Sequence, residues 1–126
     1  MNLKIIKELE KQPVFLKTIY NLSKDLDESL AYYIRLELSQ NSETPLEILE
    51  DLIKDTDKQI KLNVLKQSQT SNKIIQSVLK DEDDDIRIML FKNFSQNISE
   101  NDLFACFKDK NEEVVKLARK ALKSKL

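Results

Sequence analysis

Three basic residues recur at a constant spacing: Arg35, Lys61 and Arg87 lie 26 residues apart. Guanidinium and ammonium groups form charge-assisted hydrogen bonds with carboxylates and phosphates, so a row of them can hold an acidic peptide or a phosphate backbone. Tyr32 and Tyr33 stand beside Arg35 and add aromatic rings at this end of the row. These five residues are the candidate binding residues of the chain.

Each part of this candidate site has a structural alternative. The cations can instead pair with turn aspartates of their own or the next repeat, because positions common to all repeats usually serve the stacking that the repeats share. The tyrosines, together with Tyr20, can instead pack inside the first repeat, since aromatic rings supply much of the buried area of a small core. We favour the structural alternative in both cases. The turn aspartates in question are Asp55, Asp81 and Asp109.

The sequence contains no catalytic or metal-binding motif. The chain has no histidine, which excludes histidine-dependent triads and histidine-ligated metals, and its single cysteine, Cys106, therefore has no histidine base. The acidic run 81–85 has consecutive side chains and no glycine for the sharp bend of a calcium loop, so we interpret it as a solvated turn. The sequence predicts no enzyme activity, no cofactor and no metal site.

The composition indicates a folded, helix-rich soluble domain. The 126 residues include 21 basic and 22 acidic side chains, with a net charge of −1, and 40% of the residues are hydrophobic. This balance argues against a protein that holds nucleic acid mainly through phosphate contacts. We expect no membrane span, because no run of about 18 apolar residues occurs. Charges throughout the first ten residues exclude a signal peptide, and the single cysteine favours a reducing compartment, so we predict a cytoplasmic protein.

A repeat supplies the elements that carry these residues. The segment 44–65 returns as 70–91 at an offset of 26 residues. A repeat of this length is one helix-turn-helix unit, which buries its apolar surface by stacking on its neighbours. We therefore predict a single all-α domain over 1–126, an α-solenoid of stacked antiparallel helix pairs with capping helices at both ends. The predicted elements are an N-terminal capping helix at 1–12 and helix pairs at 13–40, 44–67, 70–94 and 99–124.

The second helix of each internal pair is predicted to be buried on two sides. Ile60 and Val64 lie on one side of such a helix, whereas Leu62 and Leu65 lie on the other. The next copy repeats this arrangement, with Ile88 in the place of Leu62. Lys116 takes that place in the last copy, so the last helix is predicted to close the stack. At the other end of a pair, Thr44 is the predicted N-cap of a helix that begins at Pro45, and Glu47 completes a capping box.

The residues Pro45, Leu49, Leu52, Asp55, Ile60-Lys61 and Val64 form a pattern that resembles the repeat of the HEAT family of α-solenoids. In that repeat a proline opens the first helix, an aspartate lies in the turn, and a hydrophobic-basic pair begins the second helix. The short period also resembles leucine-rich-repeat-variant proteins. Ser71 and Ser99 replace the proline in other copies, and Val115 replaces the basic residue in the last copy. The similarity covers about residues 13–122 and implies a binding or scaffold role.

These observations predict a non-enzymatic protein–protein interaction or scaffold module. Its partner would be another protein or a peptide, bound along the concave face of the second helices. The alternative is a HEAT-like protein that binds nucleic acid through Arg35, Lys61 and Arg87, as some HEAT-like solenoids hold duplex DNA. The net charge and the absence of tryptophan weigh against this alternative. The iron–sulfur module of some leucine-rich-repeat-variant proteins needs several cysteines, so that cofactor is not expected here.

Overall fold

The computed structural model describes residues 7–126, and within this range every regular element is a helix or a helical turn. The all-α prediction is therefore confirmed. Residues 7–9 are helical, and the first six residues of the predicted capping helix at 1–12 lie outside the described part of the chain. The helices are α1 (Pro13–Ser23), α2 (Glu28–Gln40), α3 (Leu46–Leu52), α4 (Lys58–Leu65), α5 (Asn72–Leu79), α6 (Asp84–Phe94), α7 (Glu100–Ala105) and α8 (Glu112–Lys125), with 3-10 turns at Ser95–Asn97 and Cys106–Lys108.

Polar side chains fix where most of these helices begin. The carboxylate of Asp57 accepts a hydrogen bond from the backbone N–H of Ile60 at the start of α4, and Asp27 does the same for α2. At the start of α7 the hydroxyl of Ser99 accepts from the N–H of Asp102. Each cap satisfies one of the backbone donors that a first turn leaves without a partner. These short residues and the acidic turns explain how a chain without glycine delimits its helices.

The predicted capping box at Thr44 is wrong. Pro45 has an extended backbone with ψ of 147°, so it is the N-cap itself and α3 begins only at Leu46. The hydroxyl of Thr44 instead donates to the carbonyl of Leu38, at 2.6 Å, on the last turn of α2. The physical reason is that Pro45 itself takes up extended backbone, which moves the cap one residue along the chain, while the hydroxyl of Thr44 is engaged with α2.

The contacts of the chain divide it into two compact units, Met1–Ser71 and Asn72–Leu126. In the first unit α2 packs against α1, α3 and α4, and in the second unit α8 packs against α6 and α7. The boundary, between Ser71 and Asn72, falls two residues inside the start of the predicted helix pair 70–94. Buried apolar residues of the first unit are Leu16, Ala31, Leu38, Ile48, Leu49, Leu52, Ile53, Ile60, Val64 and Leu65. Those of the second are Ile74, Ile75, Val78, Ile86, Leu90, Phe91, Phe94, Ile98, Leu103, Cys106, Val114, Ala118 and Ala121.

Burial of the second helices is unequal on their two flanks. In α4, Ile60, Val64 and Leu65 are almost completely buried, but Leu62 is only partly buried. Ile88 in α6 is likewise partly buried. Of the two leucines predicted on the second flank of α4, Leu65 is buried as expected, whereas Leu62 is buried less than expected, as is Ile88 in α6.

A buried polar network joins α4 to the end of α2 in the first unit. The amide of Asn63 donates to the hydroxyl of Ser39 at 3.0 Å. The amide of Gln67 donates to the carbonyls of Ser39 and Asn41, at 2.7 and 3.1 Å. The last carbonyls of a helix have no hydrogen-bond partner within the helix. At the end of α2 the Gln67 amide supplies that partner, as backbone N–H groups do where a helix ends in a glycine cap.

Candidate functional site

Arg35, the first member of the predicted basic row, is held by two carboxylates of the first unit. Its Nε donates to Oδ2 of Asp55 at 2.7 Å, and its Nη2 donates to Oε1 of Glu28 at 2.9 Å. Asp55 lies in the turn between α3 and α4, so this bond joins one predicted repeat to the turn of the next. The hydrogen bond that Arg35 donates to Glu28 raises the pKa of Arg35. Burial acts in the opposite direction, and the hydrogen bond to Asp55 and the charges of both carboxylates add to the increase.

Arg87 is held more completely, by groups of the second unit. Its Nε and Nη2 donate to the two carboxylate oxygens of Asp109, both at 2.9 Å, and Nη2 also donates to Asp84 at 2.6 Å. The remaining nitrogen, Nη1, donates to the backbone carbonyl of Asp81 at 2.7 Å. Only 5% of the Arg87 side chain is exposed. Bidentate pairs of this kind fix the orientation of both groups.

The pKa values around Arg87 reflect this arrangement. The hydrogen bonds from Asn111 and then Arg87 hold the pKa of Asp84 below its usual range. Burial raises the pKa of Asp109, but the hydrogen bonds from Arg87 and from the backbone N–H of Asn111, together with the Arg87 charge, outweigh it and leave the pKa lowered. The guanidinium is in turn kept charged, because its bond to Asp109 raises the pKa of Arg87. The cluster is a stable ion pair network and not a group of poised acids.

These contacts favour the structural alternative for two of the three cations. Arg35 and Arg87 already direct their donors at aspartates, Asp55 and Asp109 respectively, each in the turn of the following predicted repeat. Lys61, on α4, is partly buried and is also engaged in an interaction. A phosphate or carboxylate ligand at Arg35 or Arg87 would have to displace a carboxylate that the fold supplies.

The tyrosines are brought together at Arg35, but they differ in exposure. The rings of Tyr32 and Tyr33 meet edge to face with centroids 5.7 Å apart, and the Arg35 guanidinium lies 5.9 Å from the Tyr32 centroid. Tyr32 is partly buried, whereas Tyr33 is 63% exposed. Tyr20 donates its hydroxyl to Asp51 at 3.2 Å, and burial followed by the Asp51 charge raises the pKa of Tyr20 to about 12. Tyr32 thus fits the alternative in which the tyrosines pack inside the first repeat. Tyr33 is exposed enough to contact a ligand.

An apolar groove lies between α1 and α2, and no motif or repeat in the sequence marks it. Its volume is about 370 Å³. Two of its lining residues are unusually exposed for their type, Leu30 at 53% and Tyr33 at 63%. Glu10, Glu37 and Asn41 supply its polar rim. The apolar residues that line it are Phe15, Leu16, Ile19, Leu30, Tyr33, Ile34 and Leu38. Large exposed apolar side chains gathered in one place mark binding surfaces more often than isolated ones do.

The second unit offers no reactive thiol. Cys106 is buried, and this burial, with the charges of Asp109 and Asp102, raises the pKa of its thiol to about 11. A thiol in that environment is protonated near neutral pH and is a poor nucleophile. Among residues 7–126, no group of three or more His, Cys, Asp or Glu side chains is placed to hold a metal ion. Nor does this part of the chain contain a helix of the length and apolarity needed to cross a membrane.

Comparison of the chain with protein families, with curated proteins and with solved structures finds no match. The resemblance to HEAT repeats therefore depends on the residues of the repeat, such as Pro45, Asp55 and the pair Ile60-Lys61.

Proposed function

We propose that this chain is a non-enzymatic protein-interaction module, and that the groove between α1 and α2 receives an apolar segment of a protein partner. The observation that carries the proposal is the exposure of Leu30 and Tyr33 at the mouth of a groove whose walls are apolar. Burial of about 100 Å² of apolar surface contributes about 2.5 kcal/mol to the free energy of association. A partner that covers these exposed side chains is therefore bound favourably.

The shape and charge of the groove support a particular kind of occupant. Leu16, Ile34 and Leu38 form an apolar floor between two helices, which suits an amphipathic helix that places side chains at i, i+3, i+4 and i+7. Glu10 and Glu37 lie at the rim, and their charges favour basic residues on the flanks of that helix. The proposed partner segment is therefore apolar on one face and basic beside it.

The groove is formed by both helices of the first predicted pair, and none of the three cations of the basic row lines it. Tyr33 is the member of the predicted site that the proposal retains. Arg35 is retained as a positioning residue, because its bonds to Asp55 and Glu28 orient the part of α2 that carries Tyr32 and Tyr33. No contact of Arg35 or Arg87 favours nucleic acid as the ligand.

We also propose that the helix pairs stack as an α-solenoid resembling HEAT proteins. The 26-residue repeat supports this proposal. Two equivalent ion pairs add to it: Arg35 reaches Asp55 and Arg87 reaches Asp109, and in both cases the arginine of one repeat holds the turn of the following one. Equivalent contacts between successive repeats are what a stack of this kind requires.

Two matched substitutions test the groove. Leu30→Asp places a charge in the groove, whereas Leu22→Asp places the same charge on α1 at a leucine that is equally exposed, at 56%, but does not line it. We expect a protein captured from lysate of the source cells by the wild-type chain to bind Leu22→Asp equally and Leu30→Asp at least about tenfold more weakly. Equal capture by both variants would overturn the proposal.

A photo-crosslinker locates the contact independently. Benzoylphenylalanine in place of Tyr33 should crosslink to the captured protein, and the same group in place of Phe104, an exposed aromatic residue of the second unit, should not. If the crosslink from position 33 instead forms within the chain, to residues 1–6, the groove is filled by the chain itself and the proposal fails.

A further inference from the structure

The outward face of α8 carries a row of basic side chains. Lys116, Arg119, Lys120 and Lys123 are all exposed, and their spacing of three and four residues places them on one face of the helix. The opposite face, with Val114, Ala118 and Ala121, is buried in the second unit. From Glu112 to the end of the chain there are five basic and two acidic residues, although the whole chain has a net charge of −1.

These four cations differ from Arg35 and Arg87 in having no carboxylate at ion-pairing distance within residues 7–126. Like charges three or four residues apart on a helix are mutually destabilising by a few tenths of a kcal/mol per pair. The helix dipole explains Lys123 in the last turn, but Lys116 and Lys120 lie too far from that end to gain from it. No carboxylate within residues 7–126 neutralises this charge row, so it is open to a complementary charge from a ligand.

The row surrounds a shallow depression of about 530 Å³. Val115 and Glu112 also line it and contribute an apolar surface and a negative charge. The guanidinium of Arg119 lies 5.7 Å from the centroid of the Phe107 ring, and this cation–π contact restricts where the charge can move. The depression thus combines an apolar contact from Val115, the partly fixed guanidinium of Arg119 and three lysine ammonium groups.

We infer that this face of α8 binds a short acidic segment of a protein, with carboxylates on the cations and one apolar side chain against Val115. From Lys116 to Lys123 the helix rises by about 10 Å, which matches three or four residues of extended peptide. A nucleic acid fits less well, because its charge continues beyond this length. Outside α8 the chain has sixteen basic and twenty acidic residues, so an extended phosphate backbone would meet net negative charge.

This inference does not depend on the groove between α1 and α2. Leu30→Asp should leave peptide binding at α8 unchanged, and charge reversal on α8 should leave capture through the groove unchanged. Failure of one proposal can therefore be distinguished from failure of the other.

The test is fluorescence anisotropy of the full chain with a labelled octapeptide of six glutamates and two leucines. We expect binding that weakens at least tenfold in the double variant Lys116→Glu, Lys120→Glu. The control variant Lys73→Glu, Lys92→Glu makes the same charge change at exposed lysines of the second unit and should alter the Kd less than twofold. Circular dichroism establishes that both variants remain helical.

Two further probes decide the class of ligand. An octapeptide with glutamine in place of glutamate should bind at least tenfold more weakly, and amide NMR shifts caused by the acidic peptide should concentrate at residues 115–123. Equal binding of the two peptides, or equal loss in the two double variants, would overturn the inference. Tighter binding of an oligothymidylate of equal charge than of the acidic peptide would overturn it in favour of nucleic acid.

Discussion

At the scale of single residues, the two arginines of the predicted basic row stabilise the fold through ion pairs with Asp55 and Asp109. Arg87 directs its donors at Asp109, Asp84 and one backbone carbonyl, and little of its side chain reaches solvent. Removal of one partner from a buried ion pair leaves an uncompensated charge and typically costs about 3–5 kcal/mol. If a substitution at Arg87 abolishes a function, loss of the folded state is therefore the first explanation to test.

The lowered pKa of Asp109 predicts a specific acid sensitivity. A carboxylate whose pKa is lower in the folded than in the unfolded state stabilises the fold above the unfolded pKa, near 4, and this contribution disappears as the pH falls through the folded pKa. We expect Asp109→Asn to unfold at a lower urea concentration than the wild-type chain at pH 7. As the pH falls below about 4, the difference should shrink.

Glu43→Gln is the control for this experiment, because Glu43 is exposed and forms no ion pair within the described residues. Its urea midpoint should follow the wild-type curve at every pH. A difference between wild type and Asp109→Asn that is as large at pH 2.5 as at pH 7 would contradict the role assigned to the ion pair with Arg87.

At the scale of helices, much was predictable because short polar residues and prolines act locally. Asp27, Asp57 and Ser99 cap helices, and Ser99 does so at the first residue of the predicted helix pair 99–124. The prediction for Thr44 failed because its hydroxyl bonds to the carbonyl of Leu38 and Pro45 itself has extended backbone. That contact with α2 depends on the packing of the chain, so residue types alone could not reveal it.

The exposed surfaces were harder to predict than the helices. Leu30 and Tyr33 are ordinary core residue types, and only the packing of α2 against its neighbours shows that they remain in water. The basic face of α8 was readable from the spacing of Lys116, Lys120 and Lys123, but its meaning depended on whether carboxylates lie opposite. Only the distances between charged atoms in the folded chain answer this, as the contact between Arg35 and Asp55 shows.

The flanks of α4 give a prediction at this scale. Leu65 is fully buried and Leu62 only partly, although both lie on the flank that the repeat pattern marks as apolar. Leu65→Ala should lower the free energy of unfolding by about 2–5 kcal/mol, because it removes buried methyl groups and leaves a cavity. Leu62→Ala should cost about 1 kcal/mol, since less apolar surface is lost to water. Urea unfolding followed by circular dichroism measures both, and equal losses would contradict the unequal burial of the two leucines.

At the scale of the whole molecule, the proposed stacking of repeats makes stability a local property. In a stack of repeats each unit gains most of its stability from its own helices and its nearest neighbours, whereas a single cooperative core loses stability everywhere at once. The division of contacts between Met1–Ser71 and Asn72–Leu126 agrees with local stability. The proposal can be tested by destabilising one unit and observing both.

Native-state hydrogen exchange separates these cases. Val64→Ala removes buried methyl groups in α4, and Leu90→Ala removes them in α6, with each parent side chain almost fully buried. We expect Val64→Ala to lower amide protection chiefly in the first unit and Leu90→Ala chiefly in the second, because each cavity weakens the helices that line it. Uniform loss of protection from residue 7 to 126 in both variants would instead indicate one cooperative core, and the proposed solenoid would then be wrong.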